Sequence, residues 1–321
     1  MDLIYTNTRL EDVGVLKDYT FDLAFGSDEN DFEVTIDSSK HCCQSKCLLY
    51  IEGTEYGGII DGLRVVTSDE TLIYFGRTWH GVLDSKIFEP DAGEDYLIVS
   101  GEANTVISDL ISRIGLSELF EASADDSGLN LTEYKMNRYI SAYSGIKKML
   151  DSVSGKLNFT FRDGKVRVSA VPAVDFSKDE QFDSDQVEMD IKKTDNPINH
   201  LICLGKGELS ERQVIHLYAD SKGNISENKM YSGIDEVAKT YELSNVESPE
   251  ELKTKGTEKL KEYWSSDTSK MNFDSETTAY DIGDIVGAKE IVTGIFVKEK
   301  ITKKIVTINK GETNIEYKVG E

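Results

Sequence analysis

The sequence contains no run of about 18 apolar residues, which is the length that a membrane-spanning helix needs. Its first residues, MDLIY, hold neither a basic region nor an apolar core, so we expect no secretory signal peptide there. These two absences predict a protein that is made and kept in a cytoplasm unless another machine carries it out.

Positive charge is also scarce. The chain has 36 lysines and arginines against 59 aspartates and glutamates, which gives a net charge of -23. Binding to a DNA backbone needs lysine and arginine to neutralise the phosphates, so the composition predicts no stable nucleic-acid binding. The charge fits a surface that repels DNA, and it also fits a protein that is simply very soluble.

The chain has only four cysteines. Three of them follow His41 in a single cluster, and the fourth lies far away in the sequence: Cys42, Cys43, Cys47 and Cys203. Structural zinc sites usually combine two separated pairs of ligands, and no second pair is present. We therefore expect reduced structural thiols, no bound metal and no cofactor.

Catalytic motifs are missing as well. The four histidines are scattered, without an HExxH pattern, at His41, His80, His200 and His216. No Gly-x-Ser-x-Gly motif occurs. We predict no catalytic residues and no enzyme, although the many carboxylates leave a paired-carboxylate hydrolase open. Trp79 beside His80 is the most suggestive pair, and we interpret it as packing.

Two loops resemble ligand-binding motifs without matching them. Gly205 and Gly207 lack the Gly-x-x-x-x-Gly-Lys frame of a phosphate loop, so we predict a hairpin turn. Residues 220–224 (DSKGN) begin like a calcium loop, but the glycine stands at the fourth position and Tyr231 stands where the closing glutamate belongs. We predict a simple turn there.

The chain is rich in short β-branched segments with polar or glycine breaks between them. Residues 281–320 are the clearest case, and they predict consecutive antiparallel strands. Ile315, Tyr317 and Val319 alternate with polar residues, and residues 309–311 (NKG) predict a hairpin turn with a glycine at positive φ. Residues 1–88 also read as strands, and we expect a bulge or bend at Gly57 and Gly58.

The middle of the chain changes character. Apolar residues at helical spacing predict one helix that ends near Gly115 and a second one capped by Ser144, followed by a hairpin at Asp163-Gly164. Ser248-Pro249 followed by Glu251 predicts the start of a surface helix. At 321 residues the chain can hold two or three domains.

We therefore predict an α+β, mainly β fold: two antiparallel β-barrel-like modules that flank a small α+β module. The N-terminal β-barrel-like module covers residues 1–88, and the α+β module covers residues 89–175. The C-terminal β-barrel-like module covers residues 176–321, with a helical insertion at about 232–266.

Several short segments together resemble the hub proteins at the distal end of phage tails, a family also found in prophages and phage-like contractile particles. The segments are 49–61 (LYIEGTEYGGIID), 76–81 (GRTWHG), 280–287 (YDIGDIVG), 293–294 (TG), 301–305 (ITKKI) and 315–320 (IEYKVG). They are strand and turn motifs, specific as a set and weak singly, and none of them is catalytic.

This resemblance implies a structural subunit of a phage or prophage tail tip. Hubs of this kind form a homotrimeric ring that joins the tail tube to the tip or spike. The implied partners are the chain itself, the tail tube or distal tail protein, the tip or spike protein and the tape-measure protein. The implied location is the virion tail tip, after synthesis in the host cytoplasm. A carbohydrate-binding or peptidoglycan-hydrolysing tail component is the alternative.

Overall fold

The computed structural model describes residues 1–178, 181–183, 185, 187–194, 197–246, 248–264, 268–274 and 279–320. The chain forms two compact units, one from Met1–Met189 with Lys270–Glu321 and the other from Asp190–Ser269. The helical insertion predicted at about 232–266 falls inside the second unit. The division into three modules at residues 88 and 175 stays a prediction.

The first fifteen strands lie in the first unit. They are β1 (Leu3–Thr6), β2 (Asp12–Leu16), β3 (Thr20–Gly26), β4 (Asp31–Asp37), β5 (Leu48–Tyr50), β6 (Gly57–Val66), β7 (Thr71–Thr78), β8 (Ile87–Phe88), β9 (Ile98–Glu102), β10 (Phe120–Ala122), β11 (Asn130–Lys135), β12 (Ile140–Ser141), β13 (Gly155–Arg162), β14 (Lys165–Pro172) and β15 (Gln181–Asp183).

The remaining strands are β16 (Glu188–Lys192), β17 (His200–Leu204), β18 (Val214–Ala219), β19 (Ile225–Ser226), β20 (Ala238–Glu242), β21 (Thr268–Asp274), β22 (Ile285–Lys289), β23 (Phe296–Asn309) and β24 (Glu312–Val319). The α-helices are α1 (Trp79–Asp84), α2 (Ala103–Arg113), α3 (Ala142–Asp151) and α4 (Pro249–Trp264). Strands outweigh helices, so the mainly β, α+β class predicted from the sequence is confirmed. Within the described ranges, no helix is long and apolar enough to span a membrane.

The largest sheet combines strands from both ends of the chain. Its order runs β21-β24-β23-β3-β4-β7-β6-β5-β1-β2. Strands β3 and β23 pair antiparallel, from Thr20 opposite Asn309 to Gly26 opposite Lys303. The N-terminal and C-terminal strands therefore share one sheet, which the sequence patterns did not indicate. In the described residues β2 pairs only with β1, so this sheet is open at that edge and is not a closed barrel.

Two hairpins form where the turn sequences predicted them. Asp163 and Gly164 both have positive φ, 54° and 74°, and connect β13 to β14. Lys310 and Gly311 also have positive φ, 50° and 86°, and they connect β23 to β24. Positive φ at both central residues matches the twist of the flanking strands, which fixes the register of each hairpin.

Helices α1, α2 and α3 pack with the three-stranded sheet β10-β14-β13 around one apolar core. Trp79, Ile107, Ile146, Phe161 and Val168 are among its buried members. Helix α2 ends as predicted, since Gly115 follows it with a φ of 71°. The N-cap of α3 is Ser141 and not Ser144: the Ser141 hydroxyl accepts a hydrogen bond from the amide of Ser144, so the prediction was wrong by one helical turn.

The second unit contains the four-stranded sheet β19-β18-β17-β20, against which α4 packs. Helix α4 begins at Pro249 as predicted, and the Ser248 hydroxyl accepts a hydrogen bond from the amide of Glu251 at 3.1 Å. Leu252 and Leu260 are buried. The segment after Leu204 is a hairpin connection between β17 and β18, and the Asp220 carboxylate accepts hydrogen bonds from the amides of Lys222 and Asn224. Both loops are thus turns, as the sequence predicted.

Gly57 and Gly58 are not at a bulge. The irregularity in β6 lies between Ile60 and Gly62, and it begins two residues after Gly58. The two glycines instead lie where neighbouring chain passes very close: a Cβ on Gly58 would stand 2.1 Å from the carbonyl oxygen of Arg77, and one on Gly57 would stand 2.7 Å from that of Leu49. Close approach, and not an unusual backbone angle, explains why both positions hold glycine.

We expect Gly58→Ala to lower the free energy of unfolding by roughly 1–3 kcal/mol or more, because the added carbon overlaps a backbone atom that cannot move alone. Gly93→Ala is the matched control. Gly93 has a φ of 91° and open space around its missing Cβ, so only backbone strain opposes the same added carbon there. Urea denaturation of both variants compares the two costs. A smaller loss in Gly58→Ala than in Gly93→Ala would contradict the close-approach explanation.

Candidate functional site

Trp79 and His80 begin helix α1, whose N-cap is Thr78. Both side chains are buried. The Trp79 ring stacks on Phe161 with 5.1 Å between ring centroids, and the His80 ring lies 4.0 Å from that of Phe159. Both partners are on β13, so this pair attaches α1 to the middle of the chain. The packing interpretation of Trp79 and His80 is confirmed.

Beside His80 lies a group of five charged side chains, which we call the ionic cluster: Glu55, Lys156, Asp281, Asp284 and Lys304. Lys304 Nζ lies 2.6 Å from Glu55 Oε1 and 3.4 Å from Asp281 Oδ1. Lys156 Nζ lies 2.7 Å from Asp284 Oδ2 and 3.1 Å from Asp281 Oδ2. Asp281 therefore lies between two lysines, and the cluster alternates in sign from Glu55 to Asp284.

The two aspartates belong to one tight turn. The amide of Asp281 donates a hydrogen bond to Asp284 Oδ2 at 2.9 Å, and the amide of Asp284 donates to the Asp281 carbonyl at 3.1 Å. Gly283 has a φ of 98°, and a Cβ there would stand 2.9 Å from Cβ of Lys156. The sequence Asp-Ile-Gly-Asp thus builds a turn that receives the Lys156 side chain and gives it two carboxylates.

Burial and charge act in opposite directions on the groups of the ionic cluster. Burial alone would lower the pKa of Lys304, but Glu55, followed by Tyr56 and Asp281, outweighs it and raises that pKa above its usual value. Burial alone would raise the pKa of Asp281, but Lys304 and Lys156 outweigh it and lower that pKa. Both groups are therefore charged near neutral pH.

His80 has the opposite character. Burial, followed by the nearby Lys304 ammonium, lowers the pKa of His80 to about 3. Its Nε2 is 3.8 Å from Glu55 Oε2, too far for a hydrogen bond, and its Nδ1 has no hydrogen-bond partner among the described residues. His80 is thus a neutral ring held by aromatic contacts next to a charged cluster.

The ionic cluster joins three distant parts of the chain. Glu55 lies just before β6, Lys156 is on β13, and Asp281, Asp284 and Lys304 come from the last forty residues or so of the sequence. Four segments that carry the resemblance, 49–61, 76–81, 280–287 and 301–305, therefore meet in space. The charges satisfy one another, which is the arrangement of a structural joint. Sequence reasoning recognised these segments but did not predict that their charges meet.

Two of the four histidines come together in the second unit. His200 Nε2 lies 2.8 Å from His216 Nδ1, and His200 Nδ1 lies 2.7 Å from Glu236 Oε1. Burial lowers the pKa of His200, and Glu236 partly offsets that effect. The pairing follows from the register of β17 and β18, in which Ile202 stands opposite His216. His41, in the first unit, lies 2.8 Å through Nδ1 from the Tyr74 hydroxyl.

All four cysteines are free. Cys42 and Cys43 have their sulfur atoms 3.6 Å apart, Cys43 and Cys47 are buried in the first unit, and Cys203 is buried under α4 in the second. In the part of the chain that the structure describes, no three histidine, cysteine or acidic side chains form a group that could hold a metal. A metal-free protein with reduced thiols stays a prediction.

Comparison with known proteins gives matches in structure alone. No protein-family model matches the sequence, and no curated protein matches it. A tail protein from Neisseria meningitidis MC58 is 14% identical, with a TM-score of 0.50, over 100% of this chain and 96% of its own. The 43 kDa tail protein of prophage MuSo2 from Shewanella oneidensis is 10% identical, with a TM-score of 0.54. The match covers 99% of this chain and 97% of that protein.

The prophage tail protein gp18 from Listeria monocytogenes EGD-e is 12% identical, with a TM-score of 0.51, over 100% of this chain and 94% of its own. The fold is that of phage tail proteins. The resemblance drawn from the sequence segments is thus confirmed at the level of the fold. At these identities the likeness extends to the path of the chain and not to individual side chains.

Proposed function

We propose that this protein is a structural subunit of a phage or prophage tail, in the hub ring that joins the tail tube to the tip or spike. One observation carries the proposal: three tail proteins share the fold over 99–100% of this chain and 94–97% of theirs. The match covers both the shared sheet and the second unit, so it is not the similarity of one small common domain.

We further propose that three copies close into a ring whose inner wall is acidic. Phosphates that met lysine or arginine would bind and release counterions, which would slow the passage of DNA. The net charge of -23 suits a wall that repels them, and the repulsion acts within about 8 Å of the surface at physiological salt. The ring would rest on apolar and hydrogen-bonded contacts, or on the adjoining tube, tip and tape-measure proteins.

A structural role without catalysis is consistent with the ionic cluster. Each of its three carboxylates pairs with a lysine, and its turn is closed by hydrogen bonds that the amides of Asp281 and Asp284 donate. A hydrolase of the paired-carboxylate kind needs one carboxyl group that keeps its proton near neutral pH. In this cluster the pKa of Asp281 is lowered, which is the wrong direction for a general acid.

Cryo-electron microscopy of the assembled particle tests the proposal. We expect this chain at the distal end of the tail tube, in three copies around the axis, with acidic side chains facing the channel. A position away from the tube axis would refute the hub assignment. A basic channel surface would leave the hub assignment intact and refute the charge argument. Since like charges repel, an isolated chain that stays monomeric at low salt agrees with both.

A further inference from the structure

A cavity of about 610 Å³ opens on the outer face of the three-stranded sheet β10-β14-β13. The inner face of the same sheet carries Phe159, Phe161 and Val168 into the apolar core. The strands alternate, so the residues between these point into the cavity, and they are polar. This site lies wholly within the first unit and shares no residue with the ionic cluster.

The strand register sets the polar side chains in rows. Arg167 stands between Glu121 on β10 and Thr160 on β13. Ser169 is the next residue of β14 on the same face, and it stands opposite Asn158 on β13. Arg162 is the residue that follows Thr160 on this face of β13. The floor therefore offers two guanidinium groups, hydroxyl groups and a carboxylate within a few strand spacings of about 4.8 Å.

The walls of the cavity are held by hydrogen bonds. On one side the amide of Ser123 donates to the carbonyl of Val168 at 2.8 Å, and the buried Asn104 amide group donates to the carbonyl of Asp125 at 2.8 Å. On the other side the amide of Gly53 donates to the carbonyl of Phe161, also at 2.8 Å. Both walls are thus fixed before any ligand arrives, which reduces the entropy cost of binding.

One arginine of the floor is not neutralised. Arg167 forms an ion pair with Asp163 at 3.0 Å, whereas no carboxylate lies within ion-pair distance of Arg162 in the described part of the chain. Arg162 is exposed, so its guanidinium group is solvated in the free protein and can exchange that water for an anion through its planar set of donors. Apolar ligands are disfavoured, because the floor presents polar groups that they would leave without hydrogen bonds.

We propose that this cavity binds a sugar that carries a carboxylate or a phosphate. The planar guanidinium groups of Arg162 and Arg167 pair with either anion through two parallel hydrogen bonds. Thr160 and Ser169 donate to or accept from the sugar hydroxyl groups, and Glu121 and Asp125 accept hydrogen bonds from them. The volume falls in the range of 300–1,000 Å³ that is typical of small-molecule sites. The inference rests on this geometry alone and does not depend on the proposed tail function.

Isothermal titration calorimetry of the full chain tests it with four probes at millimolar concentration: a galacturonic acid trimer, glucose 6-phosphate, neutral glucose and inorganic phosphate. We expect heat of binding from the trimer or from the sugar phosphate, and much weaker binding of glucose and inorganic phosphate. Binding of the trimer alone identifies the anion as a carboxylate, and binding of glucose 6-phosphate alone identifies it as a phosphate.

Arg162→Ala and Arg162→Lys distinguish binding in the cavity from non-specific electrostatic attraction of the ligand to the protein. Losing the charge should weaken binding at least about tenfold, and lysine, which keeps the charge but not the planar fork, should restore only part of it. Arg138→Ala removes an arginine that lies over Tyr139 outside the cavity, and it should change nothing. The proposal is overturned if no charged sugar binds, if inorganic phosphate binds as tightly as the sugars, or if Arg138→Ala weakens binding as much as Arg162→Ala.

Discussion

Replacing Lys304 by methionine is expected to lower the free energy of unfolding of the first unit by about 3–5 kcal/mol. The side chain of Lys304 is 7% exposed, and its ammonium group lies between the carboxylates of Glu55 and Asp281. Methionine fills similar space but removes the positive charge. Glu55, whose side chain is 16% exposed, is then left as a largely buried carboxylate without its cation.

Lys298→Met is the matched control. It lies on the same strand, β23, and pairs with Asp175 at 2.6 Å, but its side chain is 44% exposed. Solvent screens such a pair, so its loss should cost about 0–1 kcal/mol. If both variants lose the same free energy of unfolding, the burial of Lys304 does not make its ion pairs more important than an exposed pair.

Because the chain has two compact units, measuring the unfolding of the first one requires a probe that lies in that unit alone. The chain has two tryptophans, Trp79 in the core of the first unit and Trp264 at the end of α4 in the second. In a Trp264→Phe background, fluorescence during guanidinium denaturation follows Trp79 alone. A Lys304→Met/Glu55→Gln double variant should recover part of the lost stability, because it also removes the unpaired charge.

The ionic cluster explains why an acidic chain retains buried lysines in its core. A buried ion pair is weak evidence for added stability, because desolvation offsets much of the attraction. Its geometry is nevertheless demanding: Asp281 accepts from two lysines on different strands, and Asp284 also accepts from the amide of Val174 at 2.9 Å. The contacts span from 23 to 249 positions in the sequence. We infer that the cluster selects one arrangement of these three parts of the chain over other compact arrangements.

Short-range features of the fold could be predicted from the sequence. The turns at Asp163-Gly164 and residues 309–311, and the helix start at Ser248-Pro249, each depend on a few adjacent residues whose backbone preferences are strong. The capping serine of α3 was placed wrongly because Ser141 and Ser144 both precede apolar residues. A cap is fixed by which hydroxyl faces the free amides, and that is decided only once the helix forms.

Pairing between distant segments could not be predicted in this way. The alternation in β3 says that one face is buried, and nothing in it names β23 as the partner. For the same reason the sequence placed Asp281 and Asp284 only within a stretch of predicted strands, and His200 and His216 were described as scattered histidines. The resemblance to tail proteins supplied the fold without these contacts, because it identified strand and turn segments and not the side chains that meet between them.

Acid should destabilise the first unit through His80. Burial holds the pKa of this histidine at about 3 in the folded protein, against an ordinary value of about 6.5 in the unfolded chain. Above pH 6.5 neither state binds the proton, so stability is unaffected. As the pH falls below 6.5, His80 becomes protonated in the unfolded chain but stays neutral in the folded protein. The free energy of unfolding therefore decreases by about 1.4 kcal/mol per pH unit until the pH reaches the pKa of His80 in the folded protein.

Between pH 7 and pH 4.5 this effect amounts to about 3 kcal/mol. His80→Leu removes the titrating ring and keeps an apolar side chain against Phe25, Phe159 and Tyr143, the aromatic neighbours of the imidazole. Denaturation of the Trp264→Phe background at both pH values should therefore show a loss about 3 kcal/mol smaller in the leucine variant than in its parent. If His80→Leu and the parent lose the same free energy between these pH values, His80 takes up its proton freely in the folded protein, and burial does not keep its ring neutral.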